Sequence, residues 1–368
     1  MFKFVHIRDG HDNFFTPVRL LFAVIVMIGH CFYVTHGHLY EKSPLAEPAV
    51  FFGYRPSLLA VNLFFIVSGF LVTKSVMYRG AGAEFVSARV LRILPALVVH
   101  VLFVMFVMGP FVTTLPLKAF VLHPDFLSQP LKVLSFYRTE MVLPGALTHN
   151  TEQVGSATLW TLRYEVMAYM GTGLLFCLGL MKHRWMILVQ FLGLVALWPL
   201  VHVTGVYEQV PGTFQNVLRL GLCYAMGATI YAYRDKLSFH ILGIPIVGCI
   251  AAAFHNTIMF EVMVDFCLAY MVFWLVYVKM PKLNGLQKID DVSYGIYIYH
   301  YCILQWIYYI NPQVSTLQLL VFASPFTLAL ALASWHFVEK PLLAKKQSFG
   351  EFLKFSKSTK EKVRAISL

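Results

Sequence analysis

Apolar runs of about 20 residues, each ended by a short polar or basic break, recur along the chain over 17–35, 57–77, 91–113, 157–180, 185–206, 213–233, 238–255, 257–279, 293–310 and 314–336. A helix of that length crosses the ~30 Å hydrocarbon core of a bilayer. In lipid no water can satisfy a bare peptide group, and a helix satisfies its backbone within the segment. The pattern therefore predicts an all-α polytopic integral membrane protein with about ten transmembrane helices. Composition agrees: 58% of the residues are hydrophobic and 13% are charged, against roughly 25% charged in soluble domains.

The charges then orient the spans. With the N-terminus in the cytoplasm, 22 of the 29 Lys and Arg residues fall on the cytoplasmic side, five fall outside and two, Arg163 and Arg219, lie within spans. This asymmetry is that of the positive-inside rule, so both termini are expected in the cytoplasm. Residues 1–340 read as one transmembrane domain and 341–368 as a short basic cytoplasmic tail. The net charge of +11 does not read as nucleic-acid binding, because the basic residues punctuate apolar runs instead of clustering on a soluble segment. The six cysteines stand singly in apolar stretches without zinc spacing, so core packing and no metal are expected. No cleavable signal is expected at the N-terminus. The connection 114–157 is long and polar, and reads either as a substrate cover or as a surface loop with an amphipathic helix. No internal repeat is visible, which weighs against a transporter.

Ionisable side chains inside spans are costly and mark functional candidates. Arg19 and His30 are eleven residues apart, about 20° past three turns, so they share a face of the first span. They are either the two ends of a ligand site or a snorkelling Arg and a hydrogen-bonded core His. Glu165 follows Trp160, Arg163 and Tyr164 at the start of the fourth span, at a depth similar to His30. A carboxylate there could orient the imidazole and raise its basicity. In the ninth span Ser293, Tyr297, His300 and Tyr301 form a polar stripe, which lines a cavity or packs with its hydroxyls satisfied. Glu261 and Asp265 would repel unless a proton, a cation or Arg219 intervenes, and a structural Arg219 clamp is the expected reading over a metal site.

Several motifs in order now resemble the membrane-bound acyltransferase 3 family. They are Arg19-Leu-Leu-Phe-Ala ending in His30, Asn62-Leu-Phe-Phe-Ile-Val-Ser-Gly-Phe-Leu, Arg89 and Arg92 with Leu94-Pro95, Trp160-Thr-Leu-Arg-Tyr-Glu165, Ser293-Tyr-Gly-Ile-Tyr-Ile-Tyr-His300, and Glu339-Lys-Pro341. The likeness covers residues 14–342. Arg163 departs from the family pattern, which has a small polar residue there.

The resemblance implies transfer of an acyl group, usually acetyl, from cytoplasmic acyl-CoA to a hydroxyl of an exported or surface glycan or lipid-linked sugar. It also implies a bacterial cytoplasmic (inner) membrane location. Acetyl-CoA is then the donor, and the partners are acyl-CoA, a saccharide acceptor and membrane lipid, with no nucleic acid. On this reading His30 and Glu165 are catalytic, Arg19, Arg89 and Arg92 bind the donor, and Ser68, Trp160, Arg163, Tyr297 and His300 line the cavity or the acceptor site. The alternative is a transporter or flippase of a lipid-linked glycan, with Arg19, His30, Glu165, Arg219, Glu261 and Asp265 as a proton path.

Overall fold

A computed structural model describes residues 4–7, 13–37, 46–49 and 52–351. The predicted tail from 352 onward and the residues at 1–3 and 8–12 lie outside these. Helices α1 (Phe15–His36), α2 (Pro56–Arg79) and α3 (Ala83–Leu102) come first, and a π-helical turn over Phe103–Met108 carries α3 into α4 (Gly109–Val112). Two short helices follow in the long connection, α5 (Leu117–Val121) and α6 (Pro124–Leu134). Then come α7 (Trp160–Cys177), α8 (Arg184–Val203), α9 (Val206–Gln209), α10 (Gly212–Ala232), α11 (Gly243–Ala253) and α12 (Phe260–Tyr277). The last are α13 (Ser293–Ile310), α14 (Thr316–Ser334) and, after a second π-helical turn over Trp335–Glu339, α15 (Lys340–Ala344).

Local chemistry sets these boundaries. Pro56 opens α2 at a position where its missing N–H is no loss. Ser315 and Gln318 close a reciprocal capping box at the start of α14. Pro341 has no N–H to give to the preceding turn, and the chain widens there into the π turn that ends with Glu339.

Each predicted window holds a helix. Six helical stretches are long and apolar enough to cross a membrane: Phe15–His36, Pro56–Arg79, Ala83–Val112, Arg184–Val203, Phe260–Tyr277 and Thr316–Ala344. This is a multi-pass membrane architecture. Helices α7, α10 and α13 have the length, at 18, 21 and 18 residues, but carry more polar side chains. The window 238–255 falls short. Ser238–Phe239 forms a strand, β2, paired antiparallel with β1 (Val5–His6), and the 11 residues of α11 rise only about 16 Å.

Helix α13 is the centre of the bundle. It is buried on nearly every side and packs against α1, α14 and α3, while α2 joins α1 to α10. By contrast, α8 buries only Ile187 and Trp198 although it is apolar apart from Arg184, Gln190 and His202, which is the signature of a lipid-facing helix. The α2–α10 crossing is backbone against backbone. A Cβ on Gly69 would strike the Tyr224 carbonyl, and one on Gly227 would strike that of Ile66.

Those contacts are with main chain that cannot swing aside, so Gly227→Val should lower the thermal unfolding temperature of the purified protein by the equivalent of roughly 1–3 kcal/mol. Gly171→Ala on α7, where a Cβ meets nothing within 4 Å, should leave that temperature unchanged or raised.

Candidate active site

Helices α1 and α13 bring two imidazoles together. His300 is fully buried, and its Nδ1 lies 2.8 Å from the Ile296 carbonyl oxygen one turn earlier. A carbonyl only accepts, so Nδ1 carries the proton and the Nε2 of a neutral His300 carries a lone pair. That Nε2 is 2.8 Å from Nδ1 of His30, with the rings stacked at 5.0 Å. Nδ1 of His30 must therefore donate, which leaves its Nε2 as a free base. His30 is half-buried, with the edge of Tyr301 against it at 5.3 Å.

At the start of the same two helices the charges meet. Asp291, just ahead of α13, accepts from Arg19 Nη1 of α1 at 2.5 Å and Arg92 Nη2 of α3 at 2.9 Å through Oδ2, and from the Ser293 hydroxyl at 2.6 Å through Oδ1. Arg92 also lies 3.6 Å from the buried Glu339, which the Ser334 hydroxyl holds. Burial works to raise the Asp291 carboxyl, but Arg19, Arg92 and Ser293 outweigh it, so the group titrates below the usual carboxylate range.

A cavity of about 760 Å³ opens beside this cluster. Its mouth is at Tyr78, Arg79 and Lys346, and its inner end is at Phe64, Thr161 and Tyr297. Phe64 and Tyr78 are fourteen residues apart on α2, or about 21 Å along the axis. Arg19, Ser68, Arg89, Arg92 and Glu165 line the walls. Arg89 is the uncommitted cation among them. It lies over the Tyr169 ring at 5.3 Å and the Phe85 ring at 5.9 Å, its Nε is buried without a hydrogen-bond partner, and it makes no ion pair among the described residues.

The expected pairing of His30 with Glu165 is not formed. Glu165 Oε1 accepts from the Tyr169 hydroxyl one turn along α7, and His30 donates to His300 instead. Equal depth says nothing about direction, and α7 turns Glu165 into the cavity. Tyr297 stands between cavity and imidazoles. Its hydroxyl is 2.7 Å from that of Thr161, and its ring is 6.1 Å from His300. Trp160 and Arg163 line a separate, smaller cleft. The remaining charged group is a clamp built through Asn62, which donates to both oxygens of Asp265 at 3.0 and 3.1 Å and accepts from Arg219 at 2.9 Å. Sequence reasoning missed Asp291 and Glu339 as partners of the arginines. The available signal was the acidic pair at the mouth of the ninth span, level with Arg19 and Arg92.

The acyltransferase domain profile matches residues 13–336. The chain belongs to the acyltransferase 3 family. An O-acetyl transferase of Shigella phage Sf6 is 25% identical over 345 residues, covering 91% of this chain and 97% of the relative. Nodulation protein 10 of Rhizobium leguminosarum bv. viciae is 26% identical over 355 residues, covering 91% of this chain and 94% of the relative. No solved structure matches the chain. Membership in the acyltransferase 3 family supports O-acyltransferase activity.

Asp291 neutralises two cations, so Asp291→Asn should unfold at lower temperature than wild type at pH 7. The unfolded chain takes up protons at the ordinary carboxylate pKa of ~4, and folded Asp291 does so only at lower pH. Its stabilisation is therefore full above about pH 4 and is lost as the pH falls through the folded value. Thermal unfolding followed from pH 6 to pH 3 should show a smaller acid loss in the variant.

Proposed function

We propose that this protein moves an acyl group, acetyl in the first instance, from acyl-CoA to a hydroxyl of an exported or surface glycan or lipid-linked sugar, across the bacterial inner membrane. The observation that carries this reading is the alignment of three features: a basic cavity mouth, an unmatched Arg89 in its wall, and a hydrogen-bonded imidazole pair beyond its inner end. The basic mouth, with Arg79 and Lys346, is taken to face the cytoplasm because Lys and Arg are in excess on that side of membrane proteins.

In this mechanism the phosphates of CoA are held at the mouth, chiefly by Arg89, whose charge no carboxylate answers. Arg19 and Arg92 form the adjoining wall, and Asp291 keeps them in place. The pantetheine arm runs past Ser68 toward Thr161 and Tyr297. The acceptor oxygen attacks the thioester carbonyl as His30 Nε2 takes its proton. The carbon–sulfur bond then breaks, and the CoA thiolate leaves and takes up that proton. His300 keeps His30 in the tautomer that has a free Nε2. Glu165 tensions the cavity wall through Tyr169 and is a positioning residue. A glycan flippase with a proton path has less support, because Arg219, Asn62 and Asp265 are tied to one another away from the cavity wall.

Full-length protein supplied with radiolabelled acetyl-CoA should release CoA and label a saccharide acceptor. His30→Ala should lower the rate by about 10²–10⁴ while unfolding as wild type does. Arg89→Ala should raise the Michaelis constant for acetyl-CoA by tenfold or more with a smaller change in kcat. Substantial turnover by His30→Ala, or an unchanged donor dependence in Arg89→Ala, would refute the corresponding role.

A further inference from the structure

The cavity ends without an ionised group. Its inner wall is Val61, Phe64 and Phe65 of α2, Thr161 and Leu162 of α7 and Tyr297 of α13, and the nearest charged lining residue on α7, Glu165, comes one turn nearer the mouth. The Thr161 and Tyr297 hydroxyls satisfy each other at 2.7 Å. What this end offers a ligand is therefore ring and methyl surface. Neither His30 nor His300 belongs to the wall. Tyr297 precedes His300 by three residues on α13, with the two rings 6.1 Å apart, so the imidazole pair lies behind the wall.

That wall has little freedom to widen. The Phe64 ring is held edge to face by Phe22 at 5.4 Å and by Tyr297 at 5.8 Å, and Phe22 is itself buried. Phe64 also packs on the buried cluster of Ala23, Val292, Ile296 and Ala331. Helix α13 has no room to retreat, because a Cβ on Gly295 would come within 2.8 Å of the Ala331 Cα of α14. In an interior packed this closely even one added methylene is felt as strain.

We infer that Phe64, braced by Tyr297 and Phe22, sets the length of acyl group that reaches the imidazole pair. This deepens the proposed function and rests on it: the acyl carbon of a bound donor approaches His30 only past the Phe64 and Tyr297 rings and Thr161, and the donor class is neutral, short-chain acyl-CoA. Phe64 has no polar atom with which to take part in the chemistry, so selection by size is the role open to it. In a closed apolar site one methylene alters kcat/KM by roughly 10–200-fold. Longer donors keep the phosphates and the pantetheine arm and still occupy the cavity. They lose the approach of the thioester carbon to His30, so the filter acts on kcat more than on binding.

The test uses full-length protein in lipid nanodiscs, with acetyl-, propionyl- and butyryl-CoA as donors and the methyl glycosides of glucose, rhamnose and N-acetylglucosamine as acceptors, scored by CoA release. Wild type should prefer acetyl-CoA over butyryl-CoA by about tenfold or more in kcat/KM, and butyryl-CoA should inhibit acetyl transfer competitively. Phe64→Ala should reduce that preference by about tenfold. Phe64→Leu removes less volume and should reduce it by a smaller factor. A ratio between donors is read within one preparation, so partial loss of folded protein does not change it. Equal use of butyryl-CoA by the wild type, its failure to inhibit, or an unchanged preference in both variants overturns the filter. Loss of transfer from every donor in both variants at the wild-type unfolding temperature also overturns it, because Phe64 then serves the reaction and not its selectivity. No CoA release from any donor by the wild type removes the proposed function and the filter with it, whereas acetyl transfer with an unchanged preference removes the filter alone.

Discussion

Two guanidinium groups, Arg19 of α1 and Arg92 of α3, converge on the single carboxylate of Asp291 at the entrance to α13, and a chain dissolved in lipid has few other places to put those charges. The cluster joins the beginnings of α1 and α13 to the middle of α3, and Glu339 adds the end of a fourth stretch through the π turn before Pro341. Because α13 is held at this end and packed all round, the faces of its next two turns are set. Tyr297 is directed to Thr161, and His300 to His30. The ion cluster is thus the anchor from which the imidazole pair takes its position.

That arrangement divides the labour among the cations. A guanidinium already bonded to a carboxylate has spent most of its attraction for a phosphate, whereas one lying over aromatic rings has not. Arg89 is in the second state, and Arg19 and Arg92 are in the first. The three arginines look alike in the chain, and only their neighbours distinguish the two that are paired with a carboxylate from the one that lies over aromatic rings.

Much of the architecture was legible because lipid imposes a long, apolar, helical repeat that needs no tertiary knowledge to recognise. It failed where that constraint relaxes. Residues 238–255 are apolar, but two of them pair as a strand with Val5–His6 and leave a helix too short to span. For the site, spacing on one helix put Tyr297 and His300 on a common stripe, and the structure has them facing the cavity end and His30 in turn. Matching depth on different helices put His30 beside Glu165, and there it failed. Depth is one coordinate of three, and the direction in which α7 points Glu165 depends on Tyr169 and α3. Asp291 escaped notice because an acid in a loop is normally a solvated one.

The imidazole pair acts chemically as one unit if His300 serves only to fix the tautomer of His30, and a double-mutant cycle on acetyl transfer reads this directly. His300→Gln and His30→Ala are measured singly and together, with unfolding temperatures checked for each. The geometry predicts that His300→Gln lowers kcat and that adding it to His30→Ala causes no further loss. Independent losses that multiply in the double variant would contradict the pair and leave His30 and His300 as separate groups.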